Sequence, residues 1–83
     1  MKVIIYSTTT CSFCHTLTTW LDKQDIAYTI KMTDEDDAAM AEFMTVNDGQ
    51  LGVPFTVIEN GTGEQAKIMG FDQRKLKQAL GVD

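Results

Sequence analysis

Cys11 and Cys14 are the only two cysteines of this 83-residue chain, and Ser12 and Phe13 separate them. Two thiols at that spacing can carry disulfide exchange. One thiolate attacks a disulfide in another molecule and forms a mixed disulfide; the second then attacks the first and releases the reduced product. The apolar run Val3–Tyr6 precedes the pair, a polar loop delivers it, and Phe13, Leu17, Trp20 and Leu21 follow at helical spacing. Cys11 is therefore predicted at the first turn of a helix, just past the end of a strand. Unpaired N–H groups and the positive end of the helix dipole favour negative charge there. A thiol of ordinary pKa ~8.5 is lowered in such a Cys-x-x-Cys setting. Cys11 is expected to be the more exposed nucleophile, and Cys14, one turn deeper, the resolving thiol.

The same residues admit other chemistry. Two inert structural cysteines would gain little from pairing, because the loop they close is too short to stabilise a fold much. The strand–loop–helix setting fits a redox pair better. Cys11-Ser12-Phe13-Cys14-His15 matches the c-type haem attachment pattern literally, and Met40, Met44 or Met69 could supply a second axial ligand. A buried strand before the motif and an α/β pattern around it weigh against haem, which leaves His15 as a solvent-exposed helix residue. With one histidine and no further cysteine, soft ligands are too few for a closed zinc site, and no metal site is expected.

The elements that position the pair follow from pattern. Lys2–Tyr6 is a β-branched apolar run, hence a central, buried strand. The helix from about Ser12 to Lys23 contains Thr16, Thr18 and Thr19, mediocre helix formers, so packing of Leu17, Trp20 and Leu21 must hold it. Gln24-Asp25 breaks the pattern. Ile26–Lys31 alternates apolar and polar and predicts a second strand, parallel to the first through a right-handed crossover. Thr33 is a candidate N-cap with Asp36 three residues on, and the acidic run Asp34–Asp37 suits the first turn of a helix. That helix should run to about Val46, pack Met40, Phe43 and Met44, and end at Asn47-Asp48-Gly49. A loop leads to Pro54, the single proline. Phe55–Glu59 and Gln65–Met69 predict two more strands, with Asn60-Gly61 as a hairpin signal between them. Asp72 should cap the last helix, with Phe71 and Leu76 as a hydrophobic staple, Leu76, Ala79 and Leu80 facing the core and Gly81 as the stop. The order is βαβαββα: one α/β domain over residues 1–83, with a four-stranded mixed sheet flanked by helices.

A net charge of −5 argues against nucleic acid or an anionic membrane surface as the main partner. No segment approaches the roughly 20 apolar residues a membrane span needs. Met1-Lys2 enters the first strand directly, with no room for a signal peptide, so a cytoplasmic location is expected. In a reducing compartment a lone cysteine pair is not a structural staple.

Three landmarks stand in order on these elements: Cys11-x-x-Cys14 after the first strand, Val53-Pro54 before the third, and Gly70-Phe71-Asp72 before the last helix. With them the chain resembles a glutaredoxin, a small member of the thioredoxin fold, along its whole length. The resemblance implies a dithiol–disulfide oxidoreductase that reduces protein or glutathione mixed disulfides, with ribonucleotide reductase as the typical client. It also implies glutathione as the reductant, no tightly bound cofactor and a monomer. By the same resemblance Pro54 is cis and faces the cysteines, Val53 offers its backbone N–H and C=O to an extended substrate, and the helix start at Asp72 holds the γ-glutamyl end of glutathione. Phe13 completes that substrate-facing set.

Departures from the family pattern change the expectation. The usual Cys-Pro-Tyr-Cys is Cys11-Ser12-Phe13-Cys14, so the phenol hydroxyl is missing. The family's Thr-Val-Pro is Gly52-Val53-Pro54, and its Gly-Gly is Met69-Gly70. The basic residue usual before the first cysteine is replaced by Thr8, Thr9 and Thr10. Without that cation, thiolate stabilisation and capture of a glutathione carboxylate should weaken. Helix dipole, backbone N–H groups and threonine hydroxyls would then carry the thiolate, unless Lys31 or Arg74 supplies the charge. These changes lean toward NrdH-type redoxins, which resemble glutaredoxins but take electrons from thioredoxin reductase. Ser12 opens a further alternative, because some glutaredoxins with serine after the first cysteine hold a [2Fe–2S] cluster between two subunits and two glutathiones.

Overall fold

The computed structural model describes residues 1–82, so Asp83, the last residue of the expected domain, lies outside the described part. The β-branched run at the start forms β1 (Lys2–Ser7), and α1 (Ser12–Lys23), β2 (Thr29–Met32), α2 (Asp37–Val46), β3 (Phe55–Glu59), β4 (Gln65–Met69) and α3 (Gln73–Leu80) follow. The strands form one sheet in the order β2-β1-β3-β4. β1 runs parallel to β2, with Ile5 beside Ile30, and antiparallel to β3, with Ile5 beside Thr56. β4 adds antiparallel to β3. The four-stranded mixed sheet with three helices is the predicted architecture.

Side-chain alternation along β1 and β3 divides the core into two. Val3, Ile5, Ile58 and Ile68 meet Leu17 and Leu21 of α1 and Leu76 and Leu80 of α3 on one face. Tyr6, Phe55 and Val57 meet Phe43 of α2 on the other. Strands covered on both faces have no polar side to show, which is why β1 and β3 read as nearly continuous apolar runs.

Three expectations are corrected. β2 begins at Thr29 rather than Ile26. Asp25 adopts a left-handed conformation (φ +57°) after α1, and the Asp25 and Ile26 N–H groups return to the carbonyls of Asp22 and Leu21. That is a Schellman ending, with Ile26 packed against the cluster that holds Leu21. Ile26 is thus used to close the helix and is not available to the sheet. The N-cap of α2 is Asp36, not Thr33: its carboxylate accepts the Ala38 N–H at 3.0 Å. Thr33 is buried and donates both its N–H and its hydroxyl to the Ser7 carbonyl, at 2.9 and 3.2 Å. The buried face of α2 is Ala39 and Phe43, whereas Met40 and Met44 are 41 % and 54 % exposed. Phe43 stacks between Tyr6 and Phe55, at centroid distances of 5.5 and 5.7 Å, and that fixes the rotation of the helix with Ala39 inward.

Candidate active site at the start of α1

Local chemistry places the thiols. Cys11 is the N-cap of α1, with extended backbone (φ −87°, ψ 105°), and its sulfur accepts the Cys14 N–H at 3.1 Å. The two sulfurs are joined as a disulfide, with the Cα atoms 5.3 Å apart. Cys11 is half-buried and Cys14 is 5 % exposed, the order of exposure expected of an outer and an inner thiol. The sulfur of Cys11 therefore occupies the seat of a capping oxygen, where a backbone N–H and the helix dipole favour negative charge.

The loop before it is held from a distance. Cys11 N–H donates to the Thr8 carbonyl at 3.3 Å. Thr9 donates its N–H (3.0 Å) and its hydroxyl (2.6 Å) to the carboxylate of Asp34. The hydroxyl and N–H of Thr9 hold the Asp34 carboxyl below the usual carboxylate range. The expectation that threonine hydroxyls serve the thiolate is corrected at Thr9, whose hydroxyl proton goes to Asp34. Lys31 and Arg74 do not replace the missing cation either. Lys31 donates to both oxygens of Glu42, at 2.7 and 2.6 Å, and Arg74 lines a recess on α3 with Lys77 and Gly81. The Tyr6 hydroxyl donates to the same Glu42 at 2.7 Å. Hydrogen bonds from Lys31 and Tyr6 hold Glu42 below its ordinary value, while burial and Glu42 push the Tyr6 phenol well above its own.

A cleft of about 230 Å³ opens beside the disulfide. Cys11, Cys14 and His15 line it from α1, Thr8 and Thr9 from the loop, and Ile30 and Met32 from β2. Phe13, Val53, Pro54 and Asp72 do not line it. Phe13 points to solvent, 64 % exposed. Pro54 is buried, its bond to Val53 is cis as the family resemblance implies, and its carbonyl accepts the Gly70 N–H at 2.7 Å. Asp72 caps α3 by accepting the Lys75 N–H at 3.2 Å. Trp20 and Phe71 meet edge to face at 6.1 Å, beside a second groove that His15 also lines. Among the described residues no three His, Cys, Asp or Glu side chains gather as a metal site, and no helix is long and apolar enough to cross a membrane.

Sequence reasoning missed Asp34 and His15 as neighbours of the cysteines. Nothing local marks Asp34, because its partner lies 25 residues away. His15 carried a signal: it stands four residues after Cys11, one helical turn on the same face.

Comparison with known proteins adds to this geometry. The profile of the glutaredoxin family matches residues 3–62, a span that contains both cysteines and the Val53–Pro54 turn. No curated protein matches the chain. Among solved structures, a point mutant of the thioredoxin-like protein BC3987 is 26 % identical with a TM-score of 0.81, covering 99 % of this chain and 97 % of its own. A glutaredoxin from Methanosarcina mazei Go1 superposes at a TM-score of 0.79 with 23 % identity, over 96 % of this chain and 78 % of its own. A glutaredoxin from Archaeoglobus fulgidus does so at 0.75 with 20 % identity, over 95 % and 85 %. The last two likenesses show the fold.

Proposed function

The chain belongs to the glutaredoxin family, and on that premise we propose that Cys11 and Cys14 are the working couple of a dithiol–disulfide oxidoreductase. Cys11 is the nucleophile, Cys14 resolves its mixed disulfide, and the clients are disulfides of other proteins, ribonucleotide reductase being the family's typical one. The observation that carries this reading is the seat of the Cys11 sulfur. It caps α1, accepts the Cys14 N–H and is more exposed than its partner. Attack from outside reaches Cys11 first, and Cys14 lies within bonding distance to complete the exchange.

Glutathione is the proposed reductant, in a cytoplasmic setting, held by the backbone around Val53 and the start of α3 at Asp72. A second reading, thioredoxin reductase as the donor, is favoured by one observation. Among the described residues no lysine or arginine lines the cysteine cleft, and the carboxylate of Asp34 braces its loop, so an anionic tripeptide finds no fixed countercharge there.

A coupled assay decides between the donors: reduction of an insulin or peptide disulfide with glutathione and its reductase, against thioredoxin reductase, at equal protein concentration. Turnover with neither would overturn the oxidoreductase reading. Intact mass of the single-cysteine variants with glutathione disulfide assigns the roles. Cys14→Ser should hold a stable glutathione adduct and Cys11→Ser none; the reverse would exchange the two cysteines. A brown protein as purified would instead support the [2Fe–2S] carrier.

A further inference from the structure

We propose that His15 is the proton shuttle of the resolving step, taking the proton of the Cys14 thiol and giving it to the departing client sulfur. This rests on the oxidoreductase reading above and adds a residue to it. Cys11 is the N-cap of α1 and His15 stands four residues on. Side chains of a helix lean toward its N-terminus, so the imidazole lies over the turn that carries the sulfurs. Cys11, Cys14 and His15 line one cleft, and His15 also borders the adjoining groove with Trp20 and Phe71. The imidazole thus borders both the cleft that holds the sulfurs and the adjoining groove, and it is exposed enough to change rotamer.

The surroundings leave it the task. β1 and β2 contribute Ile5, Ser7, Ile30 and Met32 to the cleft and no ionisable group. From the loop, Asp34 reaches the site only through Thr9. From α1, Lys23 lines the adjoining groove and not the cleft. Lys31, next to Ile30, is bound to Glu42. Among the described residues, and apart from the two thiols, the imidazole is the one side chain lining the cleft that can both accept and donate a proton through ring nitrogens.

The step balances without an added reactant. The client is joined to Cys11 as a mixed disulfide, and Cys14 is a buried thiol. Neutral imidazole accepts the Cys14 proton as the sulfur attacks Cys11. The Cys11–Cys14 bond forms, the Cys11–client bond breaks, and its electron pair leaves on the client sulfur. The imidazolium returns the proton to that sulfur and is neutral again. The client sulfur is reduced to a thiol while the protein dithiol is oxidised to a disulfide. A shuttle matters most when the leaving thiolate is basic and hydroxide is scarce. An alkyl thiolate near neutral pH needs the proton; a thiopyridine does not.

The test is single-turnover oxidation of reduced wild type, His15→Gln and His15→Lys by two uncharged disulfides, bis(2-hydroxyethyl) disulfide and 4,4′-dithiodipyridine. Acid quench, alkylation and intact mass separate dithiol, Cys11 mixed disulfide and closed disulfide, and the rate compared is the conversion of mixed disulfide to closed disulfide. With the alkyl disulfide near neutral pH, His15→Gln should be about tenfold slower than wild type in that conversion. His15→Lys should not restore the rate, because a fixed cation cannot shuttle a proton. With the pyridyl disulfide all three should agree within about twofold. Equal rates of wild type and His15→Gln with the alkyl disulfide near neutral pH would overturn the shuttle. An equal slowing with both disulfides would overturn it too, showing a structural role. Wild type that reduces neither disulfide overturns the oxidoreductase reading itself.

Discussion

Helices α1 and α3 lie on the same face of the sheet and contribute two buried leucines each, Leu17 and Leu21 against Leu76 and Leu80, yet their ends are built from different chemistry. At the start of α3 the Asp72 carboxylate accepts the Lys75 N–H at 3.2 Å. At the start of α1 the Cys11 sulfur accepts the Cys14 N–H at 3.1 Å, from the same N-cap to N3 relation. At the far ends, Gly81 takes the left-handed turn after α3 (φ +73°), and Asp25 takes it after α1 (φ +57°). α3 has eight residues and a polar outer face, and it uses the favoured residue at both ends. α1 has twelve residues, with Leu17 and Leu21 fully buried, and uses the favoured residue at neither. Packing in its middle holds α1, which leaves its first turn open to chemistry. Asp72 shows that an anion fits this fold at the position Cys11 occupies in α1.

The largest effect separates capping from catalysis at Cys11. Cys11→Asp, Cys11→Ser and Cys11→Ala should all lose disulfide reductase activity completely. Their stabilities should differ. In reducing buffer Cys11→Asp should be at least as stable as wild type, because aspartate caps better than a thiol, and Cys11→Ala should be roughly 1 kcal/mol less stable than Cys11→Asp. Urea unfolding of the three variants measures this. Equal stability of the aspartate and alanine variants would mean the sulfur is not acting as a cap.

The converse change is smaller. Asp72→Ala should cost about 1 kcal/mol, or roughly 4–8 °C in Tm for a domain of this size. Iodoacetamide should alkylate Cys11 in the reduced variant at the wild-type rate, because the cap of α3 lies outside the cysteine cleft. A changed alkylation rate would show that the two helix starts are coupled.

The opposite face offers a third way to hold a helix: α2 is tied to β1 and β2 through Glu42, which Tyr6 and Lys31 both reach. Glu42 is held below its ordinary value in the folded chain, first by the Lys31 hydrogen bond and then by Tyr6. A depressed carboxyl lends stability that is fully present above its unfolded pKa and disappears as pH falls through the folded one. Wild type should therefore lose stability more steeply than Glu42→Gln as the solution is acidified below the ordinary glutamate range of about 4.3. Thermal melts across that window report it, and parallel curves would remove Glu42 from the account. The effect should be modest, since the pair is partly solvated and such pairs contribute at most about 1 kcal/mol.

What could be read from the sequence follows the range of the interactions. α1, β3 and β4 begin and end where the sequence places them, because their signals are local: a helical apolar stripe, a β-branched run after Pro54, and Asn60, whose side chain accepts the N–H groups of Thr62 and Glu64 to fold the hairpin. The start of α2 is not legible locally, because Thr33 is drawn away by a carbonyl 26 residues earlier, leaving the cap to Asp36. The outward facing of Met40 and Met44 is not legible either, because apolar type alone cannot say which side of α2 meets Tyr6 and Phe55. The two cysteines were legible from type and spacing; the cleft beside them was not. It exists because β2 comes alongside β1 and sets Ile30 and Met32 opposite α1. The acid run Asp34–Asp37 looked like a single first turn of helix. The fold divides it, giving Asp34 to the threonine loop and Asp36 to the cap.

The smallest expected effect lies at the far end of α1. Asp25 holds φ +57°, where an L-side chain is crowded by the following carbonyl; the penalty is about 1–2 kcal/mol for most residues and less for aspartate. Glycine carries no such penalty but loses more chain entropy on folding, roughly 0.5–1 kcal/mol relative to alanine. The difference should leave Asp25→Gly more stable than wild type by about 0.5 kcal/mol, a rise of roughly 2–4 °C in Tm. None of the side-chain hydrogen bonds of the described residues involves Asp25, so no contact is given up. Gly81→Asp makes the opposite change at the end of α3 and should destabilise by a similar amount or more, because the shorter helix has fewer buried contacts to hold it. If Asp25→Gly is neutral while Gly81→Asp is costly, the end of α1 is insensitive to its residue and packing alone closes it. If both shift as expected, the two helices obey one rule at their C-termini, and α1 departs from α3 in function only at its first turn, where sulfur replaces carboxylate.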